Sequence, residues 1–185
     1  MMMTPNVLVP IADGTEEIEA VTIIDVLRRA GAEVTVASVG ALKVTAARGV
    51  KIEADCLIDA CKGRDFDLIV LPGGMPGAEH LRDNAVLKEI LMRQKVTGKW
   101  YGAICAAPAV VLEPHGLLAG RQATCHPNHV KTLSDPSAAE SRVVVDGNCV
   151  TSRGPGTAME FSLKLVELLL GREKMEAVAA PMVVA

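Results

Sequence analysis

Three residues of this 185-residue chain stand where side chains do chemistry: Cys105, Glu19 and His126. Cys105 follows the apolar run Trp100-Tyr101-Gly102-Ala103-Ile104 and precedes Ala106-Ala107-Pro108 and the apolar Ala109-Val110-Val111-Leu112. The first run reads as a buried strand, and Pro108 suits the first turn of a helix. A cysteine in such a strand-to-helix turn lies beside free helix N–H groups, and the positive helix end favours thiolate over thiol. The expectation is a nucleophilic cysteine of lowered pKa. The plain alternative is a small buried hydrophobe, the usual fate of a free cysteine.

Glu19 lies in a segment whose apolar residues occur at 18, 20, 21, 23, 24, 26, 27 and 30. At roughly 100° per residue this arc covers more than half of a helical wheel, and Glu19 falls inside it. A carboxyl buried there without a counter-ion has a raised pKa, and in its neutral form can donate a hydrogen bond to a thiolate. The alternative is a helix-end carboxylate bending to water, the expected behaviour of Glu16 and Glu17 beside it. His126 follows the short run ending at Thr124 and precedes Pro127. Near a thiolate it would act as a base or steer a substrate oxygen. His126-Pro-Asn-His129 is a weak metal pattern with no Cys or carboxylate at helical spacing, so no metal is expected. His80 and His115 are expected to face solvent.

Gly73-Gly74 form a turn whose backbone N–H groups, with that of Ala106, would make an oxyanion hole; the alternative is only a tight turn. Arg48 and Arg153 stand beside loop glycines, where they would hold a substrate anion, pin a loop or serve a subunit contact.

These residues need a scaffold that brings them together. Residues 7–12, 34–37, 67–71 and 100–104 read as buried strands, with shorter ones at 123–124, 143–145 and 149–151. A helix runs to about Ala30 and is closed by Gly31; Asn84 caps another, running to about Thr97. Val44 and Val50 flank a small hairpin. Thr157-x-x-Glu160 reads as a capping box opening a helix to about Leu170, and a last helix starts near Arg172. Strands alternating with helices imply a single α/β domain over 1–185, with a doubly wound, largely parallel sheet and helices on both faces. Sites in such sheets lie beyond the carboxyl ends of the strands, where Glu19, Gly73, Gly74, Cys105, Ala106, His126 and Arg153 fall.

Composition narrows the function. The chain is 50% hydrophobic with a net charge of −3 and only four aromatic residues, so it suits neither disorder nor nucleic-acid binding as a primary role. No apolar run approaches the roughly 20 residues that span a bilayer, and Met1–Pro10 lacks a signal-peptide pattern, so no membrane partner and a cytoplasmic location are expected. The five cysteines, Cys56, Cys61, Cys105, Cys125 and Cys149, are odd in number, with no C-x-x-C spacing. Neither a G-x-G-x-x-G nor a P-loop occurs, and no cofactor is expected. The apolar arc of the first helix exceeds the roughly 100° that packing on a sheet uses, which predicts an isologous homodimer through that helix.

Gly14-Thr15-Glu16-Glu17-Ile18-Glu19, Leu71-Pro72-Gly73-Gly74, Ala103-Ile104-Cys105-Ala106-Ala107-Pro108, Cys125-His126-Pro127 and Thr151-Ser152-Arg153-Gly154-Pro155-Gly156-Thr157 occur in this order. Together they resemble the ThiJ/PfpI superfamily, in the branch of the parkinsonism-associated protein deglycase, over about Asn6 to Pro181. The resemblance implies a flavodoxin-like homodimer. In it Cys105 is the nucleophile, Glu19 the protonated partner of its sulfur and His126 an auxiliary group. Gly74 and Ala106 would be backbone donors, and Arg48 and Arg153 would serve the subunit interface and anion contacts.

The implied activity is that of a cofactor-independent glyoxalase and protein deglycase, acting on small 2-oxoaldehydes such as methylglyoxal and on glycated protein adducts. The rival is a redox-sensing protective protein or chaperone that uses oxidation of the same cysteine. A cysteine peptidase or amidase is disfavoured, because peptidase-like members carry His after the cysteine and this chain has Ala106. Two further departures are Cys125, a candidate resolving thiol, and Glu53, where the human branch carries a cysteine.

Overall fold

The computed structural model describes residues 4–184; residues 1–3 and 185, which belong to the expected 1–185 domain, lie outside it, as does the start of the Met1–Pro10 stretch. Among the described residues, nine strands occur in the order β1 (Asn6–Ile11), β2 (Glu33–Ser38), β3 (Lys43–Thr45), β4 (Lys51–Glu53), β5 (Cys56–Leu57), β6 (Leu68–Leu71), β7 (Trp100–Ile104), β8 (Val143–Asp146) and β9 (Cys149–Ser152). Seven form one sheet in the order β5-β2-β1-β6-β7-β9-β8, while β3 and β4 make a separate hairpin. All neighbours in the large sheet are parallel except the antiparallel pair β8 and β9. The helices are α1 (Glu17–Arg29), α2 (Gly77–Asp83), α3 (Ala85–Val96), α4 (Ala158–Leu170) and α5 (Arg172–Ala179). The flavodoxin-like α/β expectation holds.

The two-residue period of the strands divides the core. Val7, Val9 and Ile11 of β1 pack with Ile23, Val26 and Leu27 of α1 and Phe161, Leu165 and Val166 of α4 on one face. Leu8, Ile69, Leu71 and Tyr101 pack with Leu81, Leu87, Ile90 and Leu91 of α2 and α3 on the other. Because both faces are covered, the central strands are apolar throughout rather than alternating. Helix α1 ends at Ala30, and Gly31 takes φ +86°, as a helix-terminating glycine should. Asn84 Oδ1 accepts from the Leu87 N–H at 2.9 Å and caps α3. Asn84→Ala leaves that N–H unsatisfied, so it should lower stability by about 1 kcal/mol with no change in fold, measured by urea unfolding.

Two expectations are corrected. Residues 123–124 form no strand: the Thr124 N–H donates to Thr151 Oγ1 and the Thr124 hydroxyl to the Ala139 carbonyl, so side-chain bonds replace a ladder. Thr157 does not cap α4 with its side chain. Its hydroxyl is turned back to Ser152 Oγ and the Gly154 carbonyl, and accepts from the Arg153 and Gly154 N–H groups, fixing the loop after β9. Helix α2, between the glycine turn and Asn84, has no strong sequence signal, being short and holding one polar face.

Candidate active site

The carboxyl ends of β1, β6, β7 and β9 meet around Cys105. Cys105 has φ +64°, a left-handed conformation rare for a residue with a Cβ and worth about 1–2 kcal/mol of strain. Two backbone bonds hold it there. Its N–H donates to the Ser152 carbonyl of β9 at 3.0 Å, and its carbonyl accepts the His126 N–H at 2.8 Å. Gly73 must be glycine because a Cβ there would stand 2.7 Å from Cys105 Cβ and 2.8 Å from the Ile104 carbonyl oxygen. Gly74 adopts φ +90°, and a Cβ would lie 2.4 Å from both Glu16 N and the Gly14 carbonyl oxygen.

Glu19 is fully buried on α1, as its place in the apolar arc predicts. Its Oε2 accepts the Gly73 N–H at 2.7 Å, while Oε1 has no partner among nitrogen and oxygen atoms of the described residues. Burial pushes the carboxyl from 4.5 up to about 7; the Gly73 N–H and the Cys105 side chain work the other way, and Glu16 adds to the rise. The Gly73 N–H is thereby consumed, which corrects its assignment as an oxyanion donor: a buried carboxyl needs a donor, and this is the one beside it. The N–H groups of Ala106 and Gly74 act on the Cys105 sulfur instead.

The expected lowering of the Cys105 pKa is also corrected. Burial first, and then the Glu19 carboxylate beside it, push the thiol up to about 12, outweighing the Ala106 and Gly74 N–H groups. The elbow does not open onto a full α-helix either. Pro108–Leu112 is a five-residue turn with wide, i to i+5 hydrogen bonding, so few aligned peptide dipoles face the sulfur. Thiol and carboxyl are two adjacent acids that hold one negative charge between them near neutrality. Their titration belongs to the pair.

The sulfur opens onto a cleft of about 290 Å³ lined by Glu16, Ala47, Arg48, Gly74, Met75, Cys105, Ala106, His126, Asn128, His129 and Pro155. This is near the lower limit of the roughly 300–1,000 Å³ common for ligand pockets, a size for small substrates. Larger hollows, of about 540 Å³ beside α4 and α5 and about 460 Å³ beside Pro5 and Gly31, are lined by no cysteine. His126 Nδ1 accepts from the Asn128 N–H at 3.3 Å, and its ring stands 6.3 Å from that of His129. Arg48 reaches the Cys105 cleft. Arg153 does not: it lines a neighbouring hollow with His126 and Arg142, and faces Glu140 at 3.5 Å.

Glu16 and Glu17 are buried rather than solvent-bent. Glu17 Oε1 accepts the Arg48 N–H at 2.7 Å, tying α1 to the β3–β4 hairpin and so placing Arg48 at the cleft. Glu16, Met75, Asn128 and His129 are cleft residues that sequence reasoning assigned no role here. Only the proximity of 128 and 129 to His126 signals them. His80 is exposed as expected, but His115 is half-buried, with Nε2 3.1 Å from the Arg82 carbonyl. Cys125 is buried, its thiol directed at the His126 carbonyl at 3.4 Å, and it does not line the Cys105 cleft. Among the described residues, no three His, Cys, Asp or Glu side chains group as metal ligands, and no helix is long and apolar enough to cross a membrane.

Residues 5–168 match the DJ-1/PfpI family. Protein DJ-1 homolog B of Arabidopsis thaliana is 56% identical over 172 residues, covering 92% of this chain and 39% of the relative, so the chain spans well under half of that protein's length. The Caenorhabditis elegans protein called glutathione-independent glyoxalase DJR-1.2 is 39% identical over 181 residues, 97% of this chain and 95% of its own. Toxoplasma gondii DJ-1, solved oxidized, superposes with a TM-score of 0.95 at 49% identity, covering 98% of this chain and 100% of that one. With the fold and the residue matches running together from end to end of the sheet, the chain belongs to the DJ-1/PfpI family.

Proposed function

We propose that this protein is a cofactor-independent glyoxalase and protein deglycase, acting on methylglyoxal, glyoxal and their early protein adducts in the cytoplasm. The observation that carries this reading is a cysteine on a strained elbow, open to a small cleft, with a buried carboxyl at its back and the Ala106 and Gly74 N–H groups directed at its sulfur. The family relative bearing the glyoxalase name accords with small aldehyde substrates.

In this reaction the Cys105 sulfur adds to the aldehyde carbon (C1) of methylglyoxal as its thiol proton passes to the Glu19 carboxylate. The product is a hemithioacetal, and the Ala106 and Gly74 N–H groups steady the developing oxyanion. A base then takes the C1 proton and C2 is protonated, with Glu19 and His126 as the groups in place. The resulting thioester is hydrolysed by water. The balance is methylglyoxal plus water giving lactate and a proton, with the thiol regenerated. Arg48 supplies positive charge at the cleft mouth. The direct experiment is to measure lactate released from methylglyoxal with no thiol added; formation by the purified protein is expected, and none under any condition would overturn the reading.

A second use of the same sulfur is oxidation. Two hydroperoxide equivalents would take the thiol to a sulfinic acid with release of two waters or alcohols, and the unpartnered Glu19 Oε1, when protonated, can donate to a sulfinate oxygen.

The protein also acts as a homodimer in this proposal. Ile18 and Val21 of α1 are 55% and 50% exposed, on the side of the helix turned from the sheet. Burial of such residues against a second copy is worth roughly 1.5–3 kcal/mol each at most. Sedimentation velocity at micromolar concentration should show a dimer for the wild type and a monomer for Val21→Asp, whereas a monomeric wild type excludes the assembly.

A further inference from the structure

One pair of cysteines outside the cleft, Cys56 and Cys61, has no part in the chemistry above. Cys56 lies on β5, the edge strand that pairs with β2, and is half-buried. Cys61 closes the following 3-10 turn, Ile58–Cys61, and is fully buried. Their sulfurs are 4.0 Å apart. That is thiol–thiol contact, about 2 Å longer than a disulfide bond. Four strand positions separate β5 from β7, about 19 Å at the usual spacing between neighbours, so the pair is remote from Cys105.

The geometry points to a second redox site: a Cys56–Cys61 dithiol that a hydroperoxide converts reversibly to an intramolecular disulfide. Cys56, the sulfur with solvent access, attacks the peroxide oxygen and becomes a sulfenic acid, releasing an alcohol or water. The Cys61 sulfur then displaces the hydroxyl, which leaves as water with the Cys61 thiol proton. In sum, two thiols and one hydroperoxide give one disulfide, one alcohol or water, and one further water. Burial raises the Cys61 thiol, with its neighbour Cys56 adding to this, while the Arg64 guanidinium acts in the opposite direction. Arg64 thus offsets only part of the rise that burial imposes on this thiol.

The disposition differs from that of Cys105 in a way that sets the product. Cys105 has a carboxyl beside it, suited to hold an over-oxidised sulfur. Cys56 has a second thiol within contact, which intercepts the sulfenic acid before further oxidation. The bridge would tie the sheet edge to the turn leading into β6, and a small dithiol reductant would reopen it.

One tryptic peptide, from Ile52 to Lys62, contains both cysteines and no others. The folded wild type and Cys105→Ser would be treated with mild hydrogen peroxide, blocked with N-ethylmaleimide and digested. In both, that peptide should lose two hydrogens and carry no maleimide, then accept two maleimides after dithiothreitol. In Cys61→Ser, dimedone labelling of Cys56 should rise about tenfold, because the resolving thiol is gone. The peptide map of the wild type decides the matter even if Cys61→Ser does not fold. Maleimide on both cysteines at a peroxide dose that oxidises Cys105, sulfinic acid on Cys56 without linkage, or a bridge to any other cysteine would overturn the proposal. None of these results bears on dicarbonyl turnover, which rests on Cys105.

Discussion

Cys105→Ala should reduce lactate formation from methylglyoxal by about 10³-fold or more. Without the sulfur there is no hemithioacetal, and the Ala106 and Gly74 N–H groups have no covalent oxyanion to stabilise. Nucleophile deletions leave only what binding and oxyanion donors supply, and the loss appears in kcat rather than in KM. The variant should fold normally, since alanine removes one half-buried atom and relieves no packing. The same substitution should abolish the mass gain of two oxygens after mild peroxide. Undiminished lactate formation would remove the mechanism; undiminished lactate together with a lost oxygen gain would leave only the oxidation-sensing use of Cys105.

Glu19→Gln should separate the roles of the two acids. In the wild type the carboxyl is the group that titrates near pH 7, and once ionised it adds to burial in holding the thiol up. In the variant that carboxylate is gone and burial alone opposes ionisation. The alkaline step in Cys105 alkylation should therefore move downward, while lactate formation should fall because no carboxylate receives the thiol proton. An unchanged or raised alkylation step in the variant would contradict this account.

The same variant has a stability signature. Glu19 has a folded pKa raised from 4.5 to about 7, so between those values the native state holds a proton that the unfolded chain has lost. Its contribution is fully present below pH 4.5 and declines as pH rises through 7. Glu19→Gln removes this dependence. Relative to the wild type it should gain on the order of 3 kcal/mol between pH 4.5 and pH 8, read from urea unfolding at each pH. A constant difference across that range would show that the carboxyl is not raised in the native state.

The sequence by itself determined the central strands, helices α1, α3, α4 and α5, and the two residues at the centre of the candidate site. Val7 to Ile11, Leu68 to Leu71 and Trp100 to Ile104 are apolar enough to be recognised as strands buried on both faces, because no polar alternation is needed when helices cover both sides. The burial of Glu19 was visible because helical period is regular: a position inside an apolar arc has only one place to point. Cys105 was visible because a cysteine between a buried strand and Pro108 has few conformations open to it.

The tertiary structure decided everything that depends on which atoms meet across the sheet ends. The Gly73 N–H is claimed by Glu19 from 54 residues away, and no local pattern encodes a claim of that kind. The Cys105 thiol is raised rather than lowered because burial and the carboxyl act on it together, while the helix expected to offset them is a five-residue turn. Thr157 turns to the β9 loop instead of capping its helix because the Ser152 hydroxyl and the N–H groups of Arg153 and Gly154 offer it more partners than one helix N–H would. Arg48 and Arg153 look alike in sequence, each beside a glycine, yet only Arg48 reaches the cleft, since Glu17 anchors its backbone there. Periodicity reports how each element faces the core; contacts between segments far apart in the chain are fixed only when the elements pack.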